Sequence, residues 1–184
     1  QMGTSHELGQ NFAKAFDITY QDAAGTQQMA WTTSWGVSTR MMGGLIMCHG
    51  DDAGLRVPPR LASIQVVVLA IRDDPSVLAA VSRIAESLVD RGVRVKVDDR
   101  TETSFGRRST DWELKGVPVR IEVGPRDLEN GEVTIVRRDT TEKNQARLVD
   151  LPVVVPGLLD LIQQSMRHEA TRRRDERPVA VATV

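Results

Sequence analysis

Residues 63–97 read SIQVVVLAIRDDPSVLAAVSRIAESLVDRGVRVKV. Ser63 to Ile71 is a short β-branched run of the kind a strand buried on both faces shows. The next stretch changes period. Val77, Leu78, Val81, Ile84, Ala85 and Leu88 recur at helical spacing. Asp74 can cap that helix, Pro75 fits its first position, and Gly92 ends it. VRVKV then alternates, with Val93, Val95 and Val97 on one face of a second strand. Strand, helix, strand within some 35 residues is the start of an α/β domain.

Working outward, a polar loop leads to DWELKG, a short helical piece closed by Gly116. VPVRIEV and EVTIVRR read as two more strands around the turn GPRDLENG. PGLLDLIQQSMRHEATRRRDE reads as a final helix, which gives an α/β domain over 63–165. Upstream, VPPRLA reads as a linker, because Pro58 and Pro59 break regular structure. Residues 1–62 form a different texture, rich in Gly, Ser, Thr, Trp and Met and sparse in charge. Residues 166–184 read as a helix end followed by ERPVAVATV, the beginning of another strand. Both ends of the chain read as cuts within something longer.

Of 184 residues, 40% are apolar and 27% charged, with a formal net charge of −1. That composition suits folded domains and gives no basic coat, although RNA binding needs only a local positive patch. Cys48 is the only cysteine, which excludes an internal disulfide and a cysteine zinc cluster and points to a reducing compartment. No apolar run approaches the ~20 residues of a membrane span.

GVSTRMMGGLIMCHG poses a physical question. Read as a helix from Val37 or Ser38, it carries Val37, Met41, Leu45 and Cys48 on one stripe, with Met42 and Ile46 alongside. It should be buried on most sides. Arg40 stands in its first turn, where the helix dipole disfavours a cation, and a buried guanidinium without a partner costs several kcal/mol. Either a carboxylate elsewhere pairs with it, or helix start and guanidinium together hold a phosphate. Gly43 and Gly44 imply close packing at this turn. His6, Trp31 and Trp35 taken alone read as structural, as does His49. Asp51 and Asp52 read as a helix-exit turn.

GTSHELGQNFAKAF, TTSWGVSTR, IMCHGDDAGLRVPPRLA and WELKGVPVRIEVGPRDLENG resemble prolyl-tRNA synthetase, a class II aminoacyl-tRNA synthetase, in the form without an inserted editing domain. The resemblance implies an α/β fold. Residues 1–62 would be the last part of the catalytic domain, an antiparallel sheet flanked by helices. The rest would be an anticodon-binding domain with a mixed sheet of about five strands between helices. It also implies that Arg40 holds the phosphate end of ATP, with Gln1, Thr4 and Ser38 as further ATP contacts. His6, Ser34 and Trp35 would form the proline pocket. Glu113, Arg120, Arg126 and Asp127 would meet the anticodon of tRNA(Pro), whose two shared guanines suit arginine and carboxylate partners. Arg107, Arg108, Lys115, Arg137 and Arg138 are candidates for phosphate contacts. Arg137 and Arg138 read equally well as a solvated strand end. Ser109 stands where a relative has a stacking aromatic, with Phe105 a candidate substitute.

The implied reaction uses ATP with Mg²⁺ and L-proline, in a cytoplasmic protein that is a homodimer at full length, with no membrane partner and no zinc site in this chain. Two class-defining motifs are missing here. The competing function is a tRNA- or protein-binding module of anticodon-binding type without catalysis. A third, a structural dimerisation protein, would need an exposed apolar face.

Overall fold

The computed structural model describes residues 2–177. Gln1 and most of ERPVAVATV lie outside the described residues. The chain forms two compact units, Gln1–Met47 and Cys48–Val184.

The first unit carries β1 (Gly3–Gly9), α1 (Asn11–Phe16), β2 (Thr19–Gln21), β3 (Gln27–Met29), β4 (Thr32–Val37) and α2 (Arg40–His49), whose last two residues fall in the second unit. β1 and β4 pair antiparallel, as do β2 and β3. The β2–β3 hairpin closes on Asp22, whose Oδ1 accepts from the amides of Ala24 and Thr26. Gly25, at φ +79°, supplies the left-handed turn residue.

Two expectations fail here. β4 continues through Val37, so the helix begins at Arg40 and not at Val37 or Ser38. Nor is α2 buried: none of its residues is, and Met42 and Met47 are 62% and 85% exposed. Trp31 and Trp35, read from the residues alone as core, are also exposed. A 3.6-residue stripe marks which side of a helix would pack, but cannot supply the surface it packs on. The glycine inference holds at one of its two positions. A Cβ on Gly44 would come within 2.5 Å of the Met2 Sδ, while one on Gly43 would meet nothing within 4 Å.

The second unit carries β5 (Val66–Ala70), α3 (Pro75–Val89), β6 (Val95–Asp98), α4 (Phe105–Leu114), β7 (Val119–Val123), α5 (Pro125–Glu129), β8 (Glu132–Arg137), β9 (Lys143–Arg147) and α6 (Leu151–Asp175). Strand order is β6-β5-β7-β8-β9. The first three are parallel, and β8 and β9 are added antiparallel. Asp74 caps α3 as read, its Oδ1 accepting from Ser76 N at 2.8 Å and Val77 N at 3.4 Å, a contribution of about 1 kcal/mol.

Strand alternation sorts the core. Val66, Val68, Val119, Ile121, Val133 and Ile135 face α3 and α6, which bring Val77, Val81, Ile84, Leu88, Val155, Leu159 and Ile162. Val67 and Leu69 face the other way, onto Trp112 and Val117. The helical segment 148–175, which includes α6, contains an 18-residue window of mean hydropathy 1.2, enough by length and composition alone for a membrane span. Its apolar residues Leu151, Val155, Leu159, Ile162 and Met166 are instead spent on this core.

Two boundaries and two elements differ from the reading. α4 begins at Phe105 and not at Asp111, capped by Ser104. The turn GPRDLENG contains the short helix α5. α6 starts five residues before Pro156, at Leu151. The fifth strand, β9, was expected only from the resemblance, because KNQAR is a polar edge with no alternating apolar signal.

VPPRLA is not a free linker between the units. Residues 48–62 belong to the second unit. Leu55 N donates to Leu114 O and Val57 N to Gly116 O. Arg56 pairs with Glu169 at 2.7 Å, and Asp51 pairs with Arg138 at 2.6 Å. The backbones approach so closely that only glycine fits: a Cβ on Gly54 or Gly116 would fall 2.7 Å from the opposing backbone, and both have positive φ.

Candidate functional sites

In the first unit, β1 and β4 face each other in the register Thr4↔Gly36, Ser5↔Trp35, His6↔Ser34. Alternation puts Thr4, His6, Ser34 and Gly36 on one face. Trp35 stands on the other, with Ser5, so the expected proline set is divided by the sheet. At the end of the strand pair an open cavity of ≈ 310 Å³ is lined by Met2, Gly3, Thr4, Gly36, Val37, Ser38 and Arg40. Three of the four residues read as ATP contacts, Thr4, Ser38 and Arg40, therefore border one space. Gly36 borders open space, where a Cβ would meet no atom within 4 Å.

Arg40 is exposed at the first residue of α2, not lodged in hydrocarbon. The Ser38 Oγ accepts from its amide at 3.4 Å, and Ser38 N donates to Met2 O at 3.1 Å. The helix start, its dipole and the guanidinium are thus presented together to solvent-filled space, an arrangement suited to phosphate oxygens.

The second unit builds its site around α4. Trp112 Nε1 donates to Asp98 Oδ2 at 2.5 Å, and Arg100 grips the same carboxylate through Nε and Nη2 at 3.1 and 2.7 Å. Burial pushes the Asp98 carboxyl up, but the hydrogen bonds from Arg100 and Trp112 outweigh it and hold the group at about 2. Arg108, read as a phosphate contact, is 1% exposed. It donates to Ala70 O at 2.7 Å and to the carbonyls of Asp98 and Thr103. It ties α4 to the strand ends and is closed to a ligand. Arg138 is likewise structural and buried, not a solvated strand end: it chelates Asp51 and donates to Glu113 O at 3.0 Å. That pairing holds the Asp51 carboxyl below its usual range, chiefly through the Arg138 hydrogen bonds. Asp51 also forms the helix-exit turn expected of it, accepting from Ala53 N.

With α4 so fixed, a cavity of ≈ 120 Å³ opens beside it on the sheet face. Val67, Val117, Val136 and Trp112 give it apolar walls, and Glu113, Arg120, Arg137, Thr141 and Lys143 a polar rim. Val67, Arg120, Val136 and Lys143 lie in one register row across four strands. Arg120 Nη1 stands 4.0 Å from Glu113 Oε2, and its Nε donates to Glu122 Oε1 at 2.9 Å. Arg137 is held by Asp139 at 2.7 Å, and Lys115 lies 4.5 Å over the Trp112 ring. Arg107 is exposed on α4. Phe105, partly buried, packs against the Val67–Leu69–Trp112 cluster. Arg126 and Asp127 sit on α5 beyond the end of β7, outside the cavity lining. Sequence reading missed Glu122, which strand alternation from Arg120 could have flagged, Lys143, which the β8–β9 register brings to this face, and Thr141 in the connection between those strands.

The family model of the anticodon binding domain matches residues 65–157, half of the chain. The chain belongs to the anticodon-binding domain family. The match begins at Gln65, close to the expected boundary at 62/63 and well past the break between compact units. The family's region thus comprises the whole mixed sheet and the start of α6. Over its full length the chain is also 59% identical to a protein of Frankia alni named proline–tRNA ligase and 55% identical to proline–tRNA ligase 2 of Streptomyces avermitilis. It spans 39% of the length of each. A crystal structure of prolyl-tRNA synthetase from Cryptosporidium parvum complexed with L-proline and AMP matches 96% of this chain. The TM-score is 0.87 at 39% identity, over 38% of that chain. The same enzyme complexed with halofuginone and AMPPNP matches with a TM-score of 0.89. The likeness expected from the four quoted strings is found from end to end.

Proposed function

We propose that this chain is part of a proline–tRNA ligase, in which the second unit holds tRNA(Pro) by its anticodon and the first contributes to the ATP and proline sites. One observation carries the reading: a carboxylate and a guanidinium, Glu113 and Arg120, share the rim of a small cavity with apolar walls. An arginine suits the N7 and O6 acceptors of guanine, a carboxylate its ring and amino N–H groups, and apolar walls the base plane. Arg126 and Asp127 then serve a neighbouring nucleotide from α5.

In the first unit Arg40 neutralises the phosphate tail of ATP while Thr4 and Ser38 border the nucleotide. Gln1, a further ATP contact in this reading, lies outside the described residues. His6 and Ser34 meet proline from the shared strand face. Trp35, on the opposite face, then acts on that pocket only indirectly. Attack of the proline carboxylate on the α-phosphate is served mainly by positioning and charge stabilisation. In this reading Mg²⁺ accompanies the phosphates of ATP, as is usual for an ion that keeps most of its water and takes few protein ligands. The parent's homodimeric state and cytoplasmic location belong to the same reading.

Purified residues 1–184 should give no proline-dependent ATP–pyrophosphate exchange, while the parent protein does. Exchange by the isolated chain would mean that the activating groups have been misplaced. In the parent, Arg120→Ala should raise Kd for tRNA(Pro) roughly 10- to 100-fold, the scale of one lost bidentate base contact. Unaltered tRNA affinity would leave a non-catalytic or protein-binding role for this face.

A further inference from the structure

We infer that Glu122, which is no part of the expected anticodon set, is a positioning residue that aims Arg120 into the cavity and so sets its preference among bases. The inference rests on the reading of that cavity as a base site. Glu122 is 5% exposed, two residues along β7 from Arg120 and on the same sheet face. Its Oε1 accepts from Arg120 Nε at 2.9 Å, and its Oε2 lies 3.7 Å from Lys143 Nζ on β9.

A guanidinium offers two edges for paired hydrogen bonds, one made by Nε with a terminal nitrogen and one by the two terminal nitrogens. Glu122 occupies Nε from below. Among the described residues the terminal nitrogens make only the 4.0 Å approach of Nη1 to Glu113, and the side chain lines the cavity at 12% exposure. The edge left over is the one whose spacing matches N7 and O6 of guanine. Lys143 Nζ, on a side chain 60% exposed, lies 3.7 Å from the second carboxylate oxygen, an ion pair that favours this orientation of the carboxylate.

A buried ion pair is weak grounds for stability in itself, since desolvation offsets much of its attraction. What this one fixes is direction. Without it the guanidinium could turn its Nε edge outward and accept other acceptor patterns, losing discrimination as well as affinity.

The test uses the parent protein and an unmodified tRNA(Pro) transcript, with further transcripts in which either shared anticodon guanine is replaced by adenine. Glu122→Gln should raise Kd for the guanine transcript roughly tenfold and shrink the ratio between guanine and adenine transcripts. Added to Arg120→Ala it should change nothing further, because it acts through that side chain. Equal loss in both backgrounds, or a uniform loss that keeps the ratio, would overturn the inference and make Glu122 merely structural. No effect of Arg120→Ala by itself would instead overturn the base-site reading. Should the thermal melt show that Glu122→Gln does not fold, Glu122→Asp, which retains the buried charge but withdraws it from Nε, is measured in its place with the same expectations.

Discussion

Replacing Arg40 with alanine in the parent protein should lower kcat/KM for ATP in proline-dependent pyrophosphate exchange roughly 100- to 1,000-fold, the usual effect of removing a charge aimed at a reacting phosphate or oxyanion. The affinity for tRNA(Pro) should stay within about twofold, since in this reading the anticodon is met by residues of the second unit and Arg40 belongs to the first. The physical basis is the open space bordered by Thr4, Ser38 and Arg40 at the start of α2. There the helix dipole repels the arginine but attracts phosphate, so the ligand reverses the sign of a local penalty. Arg40→Lys should recover only part of the loss, because an ammonium cannot offer a planar fork to two oxygens. Exchange that survives Arg40→Ala, or falls in step with tRNA binding, would remove the nucleotide site from this end of α2.

Asp98→Asn should destabilise the second unit by about 3 kcal/mol, read as the loss of midpoint in urea or heat. Asparagine keeps the shape but strips the charge that Arg100 grips and that Trp112 Nε1 meets, and leaves buried Arg108 without a carboxylate 3.8 Å away. The effect has a pH signature. The folded carboxyl titrates at about 2, below its ordinary 3.8, so its stabilisation is complete above about pH 4 and is lost as pH falls towards 2. Melts of wild type and Asp98→Asn should therefore differ most near neutrality and converge as the pH approaches 2. A gap that stayed constant down to that pH would assign the destabilisation to packing and not to charge. Since Asp98 fastens α4 through Trp112, the same substitution should loosen Glu113 at the cavity rim, with weaker tRNA(Pro) binding before unfolding is reached.

The strand–helix–strand of residues 63–97 was readable because burial on both faces leaves a continuous β-branched run, and a helix packed on one side leaves its 3.6-residue period. Caps were equally readable: Asp74 and Gly92 act where their chemistry requires. β9 was not, because an edge strand that faces solvent carries no apolar alternation, and its Lys143 and Gln145 look like loop. The same blindness hid the first half of α4, where the buried position is Arg108. An arginine satisfied by three carbonyls sits in a core without registering in any hydrophobic pattern.

Among the site residues, the local ones were legible. Ser38 and Arg40 share a helix start, and Glu113 and Arg120 fall in one quoted string. The tie of 48–62 to α4 and α6 was not legible, since Arg138 and Asp51 lie 87 residues apart and Arg56 and Glu169 113 apart.

By itself the sequence determined the layer type, the helix limits that caps enforce, and the family, because those depend on period, local chemistry and order along the chain. Only the tertiary structure decided which arginines are available to a ligand. Burial and partners are set largely by residues distant in sequence: Arg108 and Arg138 are locked to carbonyls and to Asp51, while Arg120 and Arg40 each border a cavity. A guanidinium's charge is written in its residue type, but whether it is already spoken for depends on which partners folding brings within about 3–4 Å.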